Sequence, residues 1–404
     1  MREPMGFVRA TLVALPSGML ALMLFVQLVW PSPEAALVAI DFNAAIFEDF
    51  LGPYWNTATG FARGETEPAK LYLYPAFFAW VLTPLVPLGP LAAAWACAAL
   101  MLGSIATLLS SAFALRPAPG AAAAAALGVA ALLAQPVVHG IYWGQAGLIT
   151  IALSAAAFAA WSRGRSVAGG VVVGIAAAIK LTPLVFLIAP ALRGDLRALS
   201  AGLLTFVLAA VALPVALMGP GPALEFHREV GERLAWMAEI TATPDGGAGS
   251  QHMGALFVRA FGEGWHGVGR IVGIGLALGC AAWAGRLLRR ERPDWACAFA
   301  SLAAIPWLVV GPTWAHGLAW IVVAWWAVAR GHPAAWAGVA LAASWAVGSL
   351  VALRVAGSPL TYPRLGLPAL AAALSIAATF GVARADRGAS SQPPGDSSGS
   401  ESGT

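Results

Sequence analysis

Charge is what this sequence has least of. Only 10% of its 404 residues are Asp, Glu, Lys or Arg, where a soluble domain carries about 25%. Residues 71–115, 199–224 and 295–329 contain none of the four, and apolar stretches of more than about 20 residues are long enough to cross a bilayer. Cysteine is also scarce. Cys97, Cys280 and Cys297 lie in or beside apolar runs and form no paired framework, so disulfides are not expected to matter. The six histidines are scattered, with no H-E-x-x-H, and there is no D-x-D, so no metal or other cofactor is expected. No G-x-x-x-x-G-K-[ST] loop is present either. Any chemistry must therefore draw its driving force from an activated substrate. The net charge of +4 does not mark a nucleic-acid partner. Its arginines sit in short clusters between apolar runs, where they orient helices.

What is present is apolar. Hydrophobic residues make up 59% of the chain and the mean hydropathy is +0.77. The expected fold class is an all-α polytopic integral membrane protein with about 10–13 membrane helices. A β-barrel would show short alternating segments instead. Apolar segments are predicted at 9–30, 74–88, 90–114, 119–138, 145–161, 167–192, 199–218, 267–287, 295–311, 315–329, 333–353 and 365–383. The first has no clean A-x-A site after it and reads as an uncleaved helix. Residues 1–384 are expected to form one membrane-embedded domain. The low-complexity stretch 385–404, rich in Ser and Gly, is expected to be a disordered tail.

Charge asymmetry orients the chain. Arg2 and Arg9 put the N-terminus in the cytoplasm, and the basic loop "RLLRRERPDW" (286–295) belongs on the same side. Residues 31–73, 219–266 and 311–317 then all fall on the extracytoplasmic face. Two of these stretches carry amphipathic patterns. Phe226, Val230, Leu234 and Met237 form one stripe, opposite Glu225, Arg228, Glu229 and Glu232. Phe42, Ile46 and Phe50 form a shorter one over 41–50. On such a helix Asp41 and Glu48, seven apart, share a face.

A few polar residues interrupt the apolar segments. Lys180 in "GIAAAIKLTPLVFLIAP" is either a lysine snorkelling to the interface or a cation at a Thr182–Pro183 helix break, suited to a phosphate. Gln145 in "GIYWGQAG" could join helices or face a ligand. His316 in "GPTWAHGLAW" has no charged neighbour in sequence. Gln251, His252 and Arg259 fall in the outer loop, where Arg259 is either solvated or a phosphate clamp.

Taken in order, these motifs resemble one family: the integral-membrane glycosyltransferases of family 87, polyprenol-phosphate-mannose-dependent α-mannosyltransferases of the GT-C fold. The resemblance is carried by "AIDFNAAIF", "YLYPAFFAWVLTPLVPL", "YWGQAGLITIALSAAAF", "AGGVVVGIAAAIKLTPLVFLIAPALR", "SQHMGALFVR" and "GPTWAHGLAW", across about residues 38–330. The chain departs from the family's Asp-His-His at Ala315-His316-Gly317, and from its Asn-Gln-Ser at Ser250-Gln251-His252. The resemblance implies Asp41 as the base. It implies Lys180, Arg259, His316, Gln145 and Gln251 toward the donor phosphate, and Tyr74, Trp314, His252 and Glu48 in the sugar or acceptor pocket.

The implied partners are a polyprenyl-phosphate sugar, a glycolipid or glycan acceptor and the bilayer. A monomer in a bacterial cytoplasmic membrane is expected, with its site on the outer face. A polyprenyl phosphate is already a good leaving group. One carboxylate therefore suffices to deprotonate the acceptor for inverting attack, with no general acid, and Glu48 and Asp49 become scaffold or acceptor contacts. A transporter or flippase is the alternative, but no internal repeat is evident and the polar residues gather at one face. A structural assembly protein would have no need of an acid at Asp41.

The topology is directly testable. Single cysteines at position 290 and position 252, in a background lacking the three native ones, should label from opposite sides of the membrane in intact cells. Labelling of both from one side would overturn the orientation.

Overall fold

The computed structural model of the chain describes residues 5–30, 32, 35, 46–244, 249–311, 313–331, 333–357 and 361–389, with 383–389 by backbone alone. Apolar runs in lipid must satisfy every backbone N–H and C=O internally, which leaves the helix as the ordinary solution. The described residues accordingly form helices, with no β-strand beyond two isolated bridges. The chain is an all-α polytopic membrane protein.

The helix α1 (Phe7–Val29) is followed, after a gap in the described residues, by a π-turn over Phe50–Tyr54 and α2 (Trp55–Ala62). Next come α3 (Ala76–Leu82), a 3-10 stretch at Thr83–Leu88, and α4 (Gly89–Leu115). The two apolar segments predicted over 74–114 therefore form one continuous helical path, Ala76–Leu115. Pro84 and Pro87 tighten it to 3-10 without ending it. Then follow α5 (Ala121–Leu132), α6 (Gln135–Trp143), α7 (Ala146–Trp161) and α8 (Ser166–Ile179). The segment predicted over 167–192 breaks at Lys180. A 3-10 turn (Thr182–Leu187) and α9 (Ile188–Arg193) complete it.

The second half begins with α10 (Leu196–Val207), α11 (Leu213–Met218) and α12 (Pro220–Ile240). After α13 (Met253–Phe261), α14 (His266–Leu288) and α15 (Trp295–Val309), a 3-10 turn at Ala315–Leu318 leads into α16 (Ile321–Ala329). The chain ends in α17 (Ala335–Gly348), α18 (Leu350–Ala356), α19 (Thr361–Arg364) and α20 (Leu367–Ala389). The predicted tail past Ala389 lies outside the described residues.

Apolar side chains gain little by leaving lipid for each other, so small residues that allow close approach drive helix pairing. A side chain at Gly18 would overlap the carbonyl of Gly128, and one at Gly128 would overlap the carbonyl of Ala14. This is how α1 seats on α5. The α8–α10 pair uses the same device at Gly170 and Gly174 against Ala198 and Gly202. Elsewhere buried hydroxyls hold helices together. Trp325 Nε1 donates to Ser344 Oγ (2.8 Å), which also meets Ser375 Oγ (2.8 Å), tying α16, α17 and α20.

The stripe of α12, read from sequence as that of a helix on the membrane surface, packs against the protein instead, with Phe226 and Val230 buried and Leu234 partly so. Phe226 packs on Phe61 and Tyr72, with ring centroids at 5.6 and 5.8 Å. Arg233 donates to the carbonyls of Ala69 and, at 3.1 Å, Pro68. The short helix predicted over 41–50 does not run through. Residues 41–45 lie outside the described residues, 46 and 47 form a turn with Phe47 at φ 63°, and helix begins at Glu48. A positive φ at a bulky residue cannot continue a right-handed helix. Asp41 itself lies outside the described residues, and the Phe47 N–H is held by the Tyr142 carbonyl at 2.7 Å.

Gly128→Val should destabilise the purified protein in detergent by about 1–3 kcal/mol or prevent its accumulation. Gly103→Val, in α4 where no atom lies within 4 Å of a built Cβ, should leave thermal unfolding near that of the wild type. Equal behaviour of the two would refute the close α1–α5 crossing.

Candidate active site

The break after α8 is where the site is built. Lys180 leaves the helix in an extended conformation (φ −149°, ψ 132°), its N–H still held by Ala176. The Pro183 ring cannot donate a backbone hydrogen bond, so the chain re-enters as 3-10 helix. The Lys180 side chain is half-buried, and its ammonium sits 5.6 Å from the centroid of the Tyr74 ring, a cation–π distance. Among the described residues it has no ion pair and no side-chain hydrogen bond. Its charge interacts with Asp49, the residue just before the π-turn. Asp49 also acts electrostatically on Tyr54 and Tyr74, so a carboxylate is present in the cluster. Of the neighbouring pair of acids, Asp49 is the one whose charge reaches Lys180.

Three of the five tyrosines meet here. The Tyr54 ring lies 5.0 Å from that of Tyr74 and 6.1 Å from that of Tyr72, all edge-on. Gln145 is the N-cap residue of α7, just after Gly144, whose φ of 64° makes the sharp α6–α7 turn. The Gln145 Oε1 accepts long hydrogen bonds from the Tyr54 and Tyr74 hydroxyls, at 3.4 and 3.5 Å. Two residues on, Gly147 packs close to both His316 and Lys180. A methyl there would touch His316 Cδ2 at 3.4 Å and lie 3.7 Å from Lys180 Nζ. His316 is buried in its 3-10 turn, and its Nδ1 stands 3.3 Å from Nδ1 of His139 on α6. Lys180, Gln145, His316 and Tyr74 are thus brought together, with Tyr54, Asp49 and His139 added. Among the described residues no three His, Cys, Asp or Glu side chains gather as metal ligands would.

Gln251, His252, Arg259 and Trp314 form a neighbouring cluster that supports the His316 turn. Gln251 N–H donates to the Thr313 carbonyl (2.6 Å), and its side-chain amide donates to Gly249 and Pro363. Trp307 Nε1 donates to the Gln251 carbonyl (2.7 Å). Ser250 Oγ bonds His252 Nδ1 at 2.8 Å and accepts from Thr313 N–H at 3.3 Å, while Arg259 donates to the Ser250 carbonyl at 2.6 Å. The Trp314 ring covers Gly249. Burial, then the charges of His266, Arg259 and Arg270, push His252 down to about 4, and burial lowers Arg259 to about 10. Asp41 lies outside the described residues. Glu48, half-buried, opens the helical turn that leads to Asp49.

A cation, two imidazoles, a carboxylate and phenols are thus gathered among membrane helices. Residues 72–312 match the model of glycosyltransferase family 87, and the chain belongs to that family. The match takes in Tyr74, Gln145 and Lys180 but ends before His316 and begins after Asp49 and Tyr54. No curated protein and no solved structure matches the chain.

The His252 shift has a consequence for stability. A histidine whose folded pKa is lowered is neutral in the native state, while the unfolded chain takes up a proton below about 6.5. Stability should therefore fall as the pH drops from about 6.5 toward 4, by up to about 3 kcal/mol. His252→Gln should flatten that part of the thermal-unfolding profile. An unchanged profile would show that His252 is not the responsible group.

Proposed function

We propose that this glycosyltransferase moves a glycosyl unit, mannose on the family resemblance, from a polyprenyl-phosphate sugar to an acceptor hydroxyl with inversion. The acceptor is a glycolipid or glycan, and the reaction runs at the extracytoplasmic face of the membrane. One observation carries the reading: the Lys180 ammonium, held at a helix break over Tyr74 and beside His316, has no acceptor of its own among the described residues. A cation in such surroundings is costly unless an anion joins it, and the charged group of a lipid-linked donor is a phosphate.

The chemistry follows from these positions. As the glycosidic C–O bond breaks, negative charge collects on the departing phosphate, where Lys180 and a His316 N–H stabilise it. No proton need be given to this leaving group. A carboxylate takes the proton from the acceptor hydroxyl as it attacks from the opposite face. The resemblance assigns that role to Asp41, with Asp49 holding Lys180 in place by its charge. Gln145 fixes the Tyr54 and Tyr74 hydroxyls, and the Ser250–His252 cluster with Arg259 and Trp314 holds the turn that carries His316.

The test is turnover by purified protein of a panel of polyprenyl-phosphate sugars, read as release of polyprenyl phosphate. Lys180→Ala should lower kcat/KM for the donor by about 10- to 100-fold, the scale of one charge-assisted hydrogen bond. Asp41→Asn should reduce transfer about 100-fold or more while donor binding persists. Glu48→Gln should stay near the wild type. Wild-type kinetics in Lys180→Ala would refute the phosphate role, and a dead Glu48→Gln beside an active Asp41→Asn would reassign the base.

A further inference from the structure

His139 has no role in the reading above, yet it makes the closest polar contact that His316 has with another side chain. The two Nδ1 atoms are 3.3 Å apart and the ring planes differ by only 18°. The centroid separation of 5.4 Å is close to that contact plus two ring radii. The rings therefore meet edge to edge in nearly one plane, the geometry of an N–H···N hydrogen bond and not of a face-to-face stack. Two lone pairs facing each other would repel, and two N–H groups would clash. One proton lies between the rings, and each neutral imidazole carries one N–H. The tautomers are consequently linked. If His139 donates, His316 must carry its own hydrogen on Nε2; if His316 donates, its Nε2 is a bare acceptor.

The far edge of His316 lies on the Lys180 side. Its Cδ2, the atom bonded to Nε2, and Lys180 Nζ lie 3.4 and 3.7 Å from the point that a Cβ of Gly147 would take. With no anion beside Lys180, a bare Nε2 toward the ammonium is the favoured state. With a phosphate there, an Nε2–H is favoured, because it can donate to the anion. Backbone holds the partner in place. α6 packs on the 3-10 turn of His316, and the built Cβ of Gly140, next to His139, would contact His316 Cβ at 3.6 Å.

We propose that His139 is a positioning residue: it donates its Nδ1–H to His316 Nδ1 when the donor phosphate is bound, fixing His316 as the Nε2–H tautomer that hydrogen-bonds that phosphate. The inference rests on the lipid-phosphate reading of the site. When the phosphate leaves, the shared proton returns to His316 Nδ1; to keep both rings neutral, His316 Nε2 gives a proton to water and His139 Nε2 takes one from water, so His316 Nε2 becomes an acceptor.

Two substitutions separate this role from packing. His139→Phe keeps a ring of similar size against Trp143 but has no nitrogen. His139→Asn loses the ring but keeps a polar atom at the δ position. In the transfer assay His139→Phe should lower kcat/KM for the donor about tenfold, while His139→Asn should stay within about threefold of wild type. The reverse order would overturn the proposal in favour of simple packing. A second readout needs no catalysis. Imidazole 15N spectra of the full-length protein in detergent, with His316 assigned through His316→Gln, report its tautomer directly. Farnesyl phosphate, but not farnesol, should convert His316 to the Nε2–H form in the wild type and not in His139→Phe. A His316 that stays Nδ1-protonated with farnesyl phosphate bound, or converts equally in His139→Phe, sinks the role of His139 and leaves the donor reading intact. If farnesyl phosphate leaves the spectrum unmoved and the wild type turns over no lipid-phosphate sugar, the donor reading itself falls, and this inference with it.

Discussion

A positive charge at a break in a membrane helix is the constraint around which this molecule is arranged. Water would solvate the Lys180 ammonium at no cost, but apolar helices cannot. The protein offers it a ring face, the charge of Asp49 at a distance and the edge of an imidazole, all of them weaker than a hydrogen-bonded carboxylate. A direct ion pair would have stabilised the resting protein and left nothing for a substrate anion to gain. Incomplete compensation is what makes the position able to bind.

The rest of the architecture places partners around that charge. Three separate parts of the chain meet there: the π-turn and following loop with Tyr54 and Tyr74, the α6–α7 turn with Gln145 and His139, and the His316 turn. Each is anchored from outside the cluster. Arg233 and Phe226 of α12 hold the 68–72 loop. Tyr142 holds the Phe47 turn through its carbonyl. Ser250 and Gln251 hold the residues just before His316. None of these anchors needs to touch a substrate to matter for its geometry.

Much of this was legible in the sequence. The helix positions followed from charge-free runs, the apolar stripe of α12 from its spacing though not the protein surface it packs on, and the interest of Lys180 and His316 from ionisable groups amid apolar residues. The same rule, applied evenly, would have singled out His139 in "QPVVHGIYW", which also has no charged neighbour. Tyr54 gave a weaker signal: three of only five tyrosines fall between 54 and 74. What could not be read was anything that depends on contacts between distant segments. Gln251 and Arg259 look like ligand groups in one dimension. In three dimensions their side chains also bond to backbone carbonyls, contacts that no sequence pattern announces. The turn at Phe47 was hidden too, because a helical stripe in sequence does not reveal a single residue with positive φ.

The crossing of α1 on α5 also bears on how the protein is made. Gly18 and Gly128 are separated by about 110 residues, and chains are synthesised at roughly 5–20 residues per second. The first helix therefore waits on the order of 5–20 seconds in the bilayer before its partner surface exists. During that interval its groove of small residues, Ala10, Ala14 and Gly18, faces lipid or the insertion machinery. Assembly of the bundle is thus sequential by necessity, with α1 captured only after α5 has been made.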